Sequence, residues 1–334
     1  MPASGLSPAK QFAGQRVLIT GGLGFIGSNL ARTLADAGAQ VTVVDSLIPE
    51  YGGNLRNLDG APPGITVNIA DVRDRFSMRY LVRGHNILFN LAGQTSHMDS
   101  MRDPFTDLDI NATAQLSILE ACREFNPDIG VVFASTRQIY GRPGYLPVDE
   151  KHPINPVDVN GVNKVAGEQF HLLYNQIYGL RTSVLRLTNT YGPRMRIKDA
   201  RQTFLGIWIK QILQDLPIEV WGGEQLRDFN YVDDVITALL QVAADPRAIG
   251  GVYNLGSAER ISLRDLAVKL VAVAGCGRYE KREFPAERKK IDIGDYYSDF
   301  GKIRAALGWQ PAVNLDEGLA RTVDFYRQEL RHYL

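Results

Sequence analysis

Apolar and polar positions follow two different rhythms in the first half of the chain. Short runs with the length and β-branched content of buried strands cover residues 16–20, 40–45, 66–71, 86–91, 129–135 and 183–187. Segments with apolar residues at helical spacing lie between these runs, and the longest covers residues 104–125. Strands that alternate with helices indicate βαβ units, and therefore a parallel sheet with helices on both faces.

The rhythm changes after about residue 190. The pattern then predicts helices near residues 201–214, 233–244, 262–274 and 316–334, with a short strand at 218–221. We therefore predict an α/β fold, a Rossmann-type doubly wound parallel sheet with a smaller C-terminal α/β lobe. The cofactor domain covers residues 1–190, with 228–258 returning to it, and residues 191–334 form most of the lobe that binds substrate.

Composition and charge narrow the class of protein. The 334 residues carry 37 basic and 37 acidic side chains, so the formal net charge is zero. A broad nucleic-acid or membrane surface needs a basic excess, and we expect neither partner. The two cysteines, Cys122 and Cys276, lie in helical patterns and are expected to be buried thiols, with no metal site. The N-terminus has no apolar core of a signal peptide, so we expect a cytoplasmic protein.

A glycine-rich segment directly follows the first predicted strand. Residues 20–27 read Thr-Gly-Gly-Leu-Gly-Phe-Ile-Gly and open the first predicted helix. The glycines at 21, 24 and 27 allow a tight turn, a close approach of backbone to pyrophosphate, and close packing of helix on sheet. The helix N-terminus offers free N–H groups to the phosphates. We therefore predict a dinucleotide site that contains Gly21, Gly24, Phe25, Ile26 and Gly27.

The second predicted strand ends in a carboxylate, Asp45, which lies 18 residues beyond Gly27. A carboxylate at this place can accept hydrogen bonds from a ribose 2′-OH, whereas it would repel a 2′-phosphate. The next residues, Ser-Leu-Ile, supply no arginine to compensate. The predicted cofactor is therefore NAD rather than NADP.

With these motifs the sequence resembles the extended short-chain dehydrogenase/reductase family, in particular its nucleotide-sugar epimerases and dehydratases. Further motifs that match are Ser-Thr-Arg-Gln-Ile-Tyr-Gly at 135–141, Asn-Thr-Tyr-Gly-Pro-Arg at 189–194, and Arg-Asp-Phe at 227–229. The resemblance implies an active-site hydroxyl at Thr136. It also implies that further residues contact the cofactor, namely Asp71, Val72, Leu91, Ala92, Gly93 and Asn111.

The resemblance fails at one position. The family normally has Tyr-x-x-x-Lys at the start of the helix after the proline-rich loop, whereas residues 160–164 read Asn-Gly-Val-Asn-Lys. Lys164 is therefore expected to contact the nicotinamide ribose, as in the family. The family's Tyr is a general base, but the amide of Asn160 can only orient a hydroxyl, since it cannot take up a proton. We include Thr136, Asn160 and Lys164 as the catalytic set.

Three interpretations of Asn160 remain open. Another residue or a chain of water molecules takes the proton, with Thr136, His97 and Tyr140 as candidates. The reaction starts at a different hydroxyl. Or the chain binds NAD and a sugar nucleotide without turnover.

The residues after Thr136 distinguish reactions within the family. Dehydratases have Asp-Glu there and decarboxylases keep a Glu two residues after the Thr, but here the residues are Arg137 and Gln138. Neither can both give and take a proton near neutral pH. We therefore predict an epimerase that acts at C4 through a transient keto-sugar, with a dehydratase or decarboxylase of unusual acid–base residues as the alternative.

The predicted substrate is a nucleoside-diphosphate sugar. Arginine forks suit phosphate oxygens, and Thr136, Arg137 and Gln138 lie beside the predicted reaction centre. The other predicted substrate contacts are Asn189, Arg194, Arg201, Arg227 and Arg288, with Arg196 and Lys198 in the same basic run. Phe204 or Trp221 is a candidate to stack on the base. By resemblance, helix 104–125 and the helix from about residue 160 pair two copies as a homodimer.

Overall fold

The computed structural model describes residues 8–284 and 292–334. Arg288, a predicted phosphate contact, lies outside the described residues. Twelve strands are described: β1 (Arg16–Thr20), β2 (Gln40–Asp45), β3 (Ile65–Ile69), β4 (Ile87–Asn90), β5 (Gly130–Thr136), β6 (Arg181–Leu187), β7 (Asn189–Tyr191), β8 (Pro217–Trp221), β9 (Leu226–Tyr231), β10 (Val252–Asn254), β11 (Arg260–Ser262) and β12 (Arg278–Arg282).

Seven of these strands form the main sheet, in the spatial order β10-β6-β5-β4-β1-β2-β3. Every neighbouring pair is parallel. The chain runs from β1 to β3 on one side and from β4 outward on the other, so the order reverses at β1. In such sheets the ligand crevice lies beyond the carboxyl ends of the strands at this switch point.

Helices cover both faces of the sheet, as predicted. Their bounds are α1 (Phe25–Asp36), α2 (Arg75–Leu81), α3 (His97–Arg102), α4 (Pro104–Leu108), α5 (Ala114–Phe125), α6 (Val159–Tyr178), α7 (Phe204–Leu213), α8 (Val232–Ala244), α9 (Leu263–Ala274), α10 (Gly301–Leu307) and α11 (Leu315–Glu329). Within β1, Val17 and Ile19 join the core beneath α1 and α8, whereas Leu18 joins the core beneath α5. The central strands β1, β4 and β5 are buried on both sides, so their sequences are largely apolar, whereas the edge strand β3 is partly exposed.

Two smaller sheets lie in the second half of the chain. Strands β11, β9 and β7 form one of them, and β12 pairs with β8 in the other. Within residues 228–258, β10 pairs with β6 of the main sheet, whereas β9 pairs with β7 and β11. The division of the chain into a cofactor domain and a substrate lobe stays a prediction.

The structure differs from the predicted elements in places where apolar periodicity is weak. Helix α2 buries only Met78 and Leu81, and β12 is a charged, largely exposed strand, so neither was predicted. The predicted helix 104–125 contains a π-helical turn at Asp109–Thr113. Cys122 is buried as expected, but Cys276 is exposed, because it follows the end of α9.

Two structural features bear on the expected partners. Among residues 8–284 and 292–334, none of the helices combines the length and apolar character that a membrane span requires. In the same residues, no three His, Cys, Asp or Glu side chains gather in a group that could hold a metal ion.

Candidate active site

A cavity of about 840 Å³ opens at the carboxyl ends of the central strands. Segments from both halves of the chain line it, which brings most of the predicted site residues together. Those in the lining are Gly21, Gly24, Phe25, Ile26, Gly27, Asp45, Asp71, Val72, Leu91, Ala92, Gly93, Thr136, Arg137, Gln138, Asn160, Lys164, Asn189, Arg201 and Arg227.

The glycine loop leaves no room for a side chain at several of its positions, including Gly21 and Gly27. Gly21 has a φ of +67°, and a Cβ there would lie 3.0 Å from the backbone of Ala92. A Cβ on Gly27 would lie 2.2 Å from the carbonyl oxygen of Gly21. Helix α1 begins after Gly24 without a side-chain cap, so its first N–H groups are available to an anion. The loop therefore fits a pyrophosphate.

Asp45 is held against this loop. Its carboxylate accepts the backbone N–H of Leu23 at 3.1 Å and that of Leu47 at 2.9 Å. Burial raises the pKa of Asp45 even though both hydrogen bonds favour the carboxylate. Asp71, which also lines the cavity, pairs with Arg73 at 2.6 Å, and this hydrogen bond lowers the pKa of Asp71. An acceptor fixed at the end of β2 fits the ribose hydroxyls of NAD.

We expect Gly27→Ala to weaken NAD binding by about tenfold or more. The new Cβ forces the Gly21 carbonyl away, and such overpacking costs about 1–3 kcal/mol. Gly144→Ala is the matched control, because its Cβ would have no heavy atom closer than His152 Nε2 at 3.7 Å. Titration calorimetry with NAD measures the effect. Unchanged affinity in Gly27→Ala would contradict a pyrophosphate contact at this loop.

Lys164 lies in the cavity wall behind Gly93. Its Nζ donates to the carbonyl of Ala134 at 3.1 Å, and burial lowers the pKa of Lys164 to about 8. A Cβ on Gly93 would lie 3.0 Å from this Nζ and 2.9 Å from Asn111 Oδ1. Asn111 is therefore packed behind Gly93 and is not part of the cavity lining, and its contact with the cofactor stays a prediction.

Asn160 is buried, and its amide orientation is fixed by its neighbours. Its Nδ2 donates to the carbonyl of Gln94 at 2.7 Å and to Asp107 Oδ2 at 3.1 Å. Asp107, also buried, accepts a second amide, Asn163 Nδ2, at 2.8 Å. A backbone carbonyl and a carboxylate only accept hydrogen bonds, so Nδ2 must face them. Oδ1, which has no partner among the described residues, is left as an acceptor toward the cavity.

A second polar cluster lies at the N-terminus of α6. Asp158 caps this helix, with Oδ1 accepting the N–H of Gly161 at 2.7 Å. Its Oδ2 accepts Gln138 Nε2 at 3.3 Å and lies 3.0 Å from His97 Nδ1. Burial raises the pKa of Asp158, but His97 and the hydrogen bonds outweigh it and the net shift is downward. Thr136 lies beside this cluster and accepts the N–H of Gln138 at 3.2 Å.

Tyr140, a candidate base, is excluded by its position. Its hydroxyl donates to Asn254 Oδ1 at 2.7 Å and accepts Arg186 Nη1 at 2.6 Å. Burial raises the pKa of Tyr140 to about 12, and the residue is not part of the cavity lining.

Two arginines, Arg227 buried and Arg137 partly buried, give the cavity positive charge. Arg137 lies over the ring of Tyr296 and donates to Asn189 Oδ1 at 3.0 Å. Arg227 donates to the carbonyls of Leu226 and Gly294. Burial lowers the pKa of Arg137, and burial together with the charge of Arg137 lowers that of Arg227 to about 10. The guanidinium groups of Arg137 and Arg227 are thus only partly neutralised by their neighbours, and together they favour an anionic ligand.

The basic run at 194–201 is only partly in the cavity. Arg201 lines it and pairs with Asp99 at 2.8 Å. The expectation for Arg194 is corrected, because its guanidinium donates to Asn29 Oδ1 at 2.7 Å and lies over Phe325, away from the lining. Arg196 pairs with Asp199 and, like Lys198, is also outside the lining. Phe204 and Trp221 both line the cavity.

The doubly wound sheet, the glycine loop at its switch point and the lysine behind the cavity define a dinucleotide-binding enzyme of the Rossmann type. The chain belongs to the NAD dependent epimerase/dehydratase family, whose model matches residues 17–256. Its cofactor is NAD, and the loop, Asp45 and Lys164 fit that group.

Relatives in this family differ in the reaction they are named for. A putative UDP-glucose 4-epimerase of Methanocaldococcus jannaschii is 34% identical over 94% of this chain and 99% of its own. UDP-glucuronic acid decarboxylase 1 of Xenopus tropicalis is 31% identical over 95% of this chain and 73% of its own. The Thermus thermophilus UDP-glucose 4-epimerase, solved in complex with NAD, has a TM-score of 0.83 and 30% identity, covering 94% of this chain and 99% of that one.

Proposed function

We propose that the protein is an NAD-dependent epimerase of a nucleoside-diphosphate sugar that inverts C4 through a transient keto-sugar. The observation that carries this proposal is the pair Arg137 and Gln138 in the cavity wall after Thr136. Expelling water or managing a carboxylate needs an acid–base residue next to the transient ketone, and neither side chain is one. Inversion needs only a reversible oxidation of one hydroxyl, a turn of the keto-sugar, and reduction from its other face.

The diphosphate lies against arginines of the cavity wall in this proposal. Arg137 and Arg227 supply planar forks that match phosphate oxygens, and Arg201 lies at the same cavity. Phe204 and Trp221 offer aromatic faces to the base. The lining thus contains both arginines and aromatic side chains, which suits a nucleotide rather than a free sugar.

The groups around the reacting carbon divide the work. NAD, when bound, supplies a reversible hydride acceptor. Lys164 holds the ribose of NAD, and Thr136 and Asn160 position the sugar hydroxyl. Asn160 accepts that hydroxyl's hydrogen bond through Oδ1, because its Nδ2 is occupied by Gln94 and Asp107. This fixes the hydroxyl without changing its protonation.

We also infer a homodimer from exposed apolar side chains on the helices α4, α5 and α6. Phe105 and Leu108 of α4, Leu116 of α5 and Ile177 of α6 are large apolar side chains exposed to solvent. Apolar groups gathered on neighbouring helices are typical of a protein interface.

A panel of UDP-, GDP-, CDP- and dTDP-hexoses tests the reaction. The purified protein, supplied with NAD, should convert one sugar nucleotide to its C4 epimer with no change in mass. Loss of water or of carbon dioxide in the mass spectrum would instead show a dehydratase or a decarboxylase. Binding of a sugar nucleotide by calorimetry with no product from any of them would show the non-catalytic alternative, which the absent Tyr at 160 favours.

A further inference from the structure

The proposed epimerase needs a group that takes a proton from the sugar hydroxyl. Asn160 cannot accept it, and Tyr140 is buried away from the cavity. Among the described residues of the lining, His97 and Lys164 are the side chains near Thr136 and Asn160 that carry an imidazole or amine nitrogen. The choice of base therefore lies between an imidazole and an amine.

We propose that His97, oriented by the buried carboxylate of Asp158, takes this proton and returns it. His97 begins α3 in the cavity wall, and its Nδ1 is buried 3.0 Å from Asp158 Oδ2. Its Nε2 has no hydrogen-bond partner among the described residues, so it is available to a ligand. The inference rests on the proposed function, since it assigns a base to that reaction.

Asp158 has the contacts expected of a positioning residue. Its carboxylate accepts hydrogen bonds from the N–H of Gly161 and from Gln138 Nε2, and these two contacts hold it facing His97. The N-terminus of α6 stabilises its negative charge. The His97 contact is close but not aligned along the N–H bond, and catalytic hydrogen bonds often align only when substrate binds.

An imidazole with this partner can accept a proton at one nitrogen while the other donates to the carboxylate. The sugar O–H bond breaks, and its proton moves to His97 Nε2. The electron pair of that bond forms the C=O of the keto-sugar, and NAD, when bound, would accept the C4 hydrogen with its electron pair. After the keto-sugar has turned its other face to the cofactor, the same hydride would return to C4 while Nε2 gives the proton back to the carbonyl oxygen, so that enzyme and cofactor are both restored after one inversion.

Lys164 is the less suitable group. Burial lowers its pKa to about 8, so the ammonium form still predominates at neutral pH and has no lone pair to accept a proton. Its Nζ also donates to the carbonyl of Ala134. Lys164 is therefore a donor toward the cofactor, and His97 is the acceptor.

Kinetics of His97 variants test this assignment in the full chain loaded with NAD. His97→Asn should lower kcat by about 10²–10⁴-fold, the usual contribution of a general base, with little change in KM. NAD content and sugar-nucleotide binding by calorimetry should match the wild type. Added imidazole should restore part of the activity of His97→Gly, which a packing role would not allow. His332→Asn, which is outside the lining, is the control.

Asp158→Asn separates positioning from folding. Asparagine caps a helix as well as aspartate does, so the free energy of unfolding should stay close to that of the wild type while kcat falls. An active wild type together with full activity in His97→Asn would overturn the assignment and leave Lys164 as the base. A wild type that binds NAD and sugar nucleotide but forms no epimer would overturn the proposed function, and the base with it.

Discussion

Asp107→Ala should lower the free energy of unfolding by about 2–6 kcal/mol. The carboxylate is fully buried and is the acceptor for Asn160 Nδ2 and Asn163 Nδ2. Its removal strands two buried N–H donors, and each such loss costs about 1–3 kcal/mol. Asp109→Ala, an exposed position two residues further on, is the matched control and should change stability by less than about 0.5 kcal/mol.

The same variant should impair turnover beyond its effect on stability. Without Asp107, the Asn160 amide is held only by Gln94, and its Oδ1 is no longer fixed toward the cavity. Asp107→Asn tests this at nearly constant volume. The asparagine keeps one acceptor oxygen, but its NH₂ group must face one of the two amide donors that the carboxylate accepted. Urea unfolding and steady-state kinetics measure both effects. Asp107→Ala with wild-type stability and kcat would show that this network does not hold Asn160.

Glu168→Ala should destabilise the fold by about 3–5 kcal/mol. Glu168 and Arg186 form an ion pair in the sheet core, with Arg186 Nε 3.1 Å from Glu168 Oε2 and a second contact through Nη2. Both side chains are buried, so removing the carboxylate leaves an unpaired guanidinium away from water. In the variant, the guanidinium of Arg186 would keep only its hydrogen bond to the neutral hydroxyl of Tyr140.

A double-mutant cycle checks this explanation. Replacing the pair together, as Glu168→Ala with Arg186→Met, removes the stranded charge and should recover much of the lost stability. Unfolding in urea gives the free energies of the four proteins. The stranded-charge explanation would be contradicted if the double variant lost more free energy of unfolding than the two single variants lose in sum.

The central strands β1 and β5 were predictable because burial on both faces leaves continuous apolar runs, whereas the three-residue β10 of the same sheet was not predicted. The glycine loop was equally predictable. Gly27 must lack a Cβ because Gly21, only six residues earlier, packs against it, and such a local requirement is visible in the spacing of the glycines. By contrast β12 carries no apolar signal, because it pairs only with β8 and stays largely exposed.

The polar clusters could not be predicted in the same way. Asp107 and Asp158 lie 53 and 61 residues from the partners they hold, Asn160 and His97, so only the folded chain brings them together. Arg194 illustrates the opposite case, a residue found by its motif but placed elsewhere by the fold. Its guanidinium contacts Asn29 on α1, at a backbone turn with a φ of +71° that the sequence motif does not reveal.

Deuterium at C4 of the active sugar nucleotide tests directly whether the protein inverts C4 by hydride transfer. We expect the product epimer to keep the deuterium at C4 in inverted configuration, because the same hydrogen leaves and returns as hydride within one binding event. Mass spectrometry and proton NMR of the product in ordinary water measure this. Loss of the deuterium to solvent, or its transfer to another carbon, would contradict the proposed epimerase.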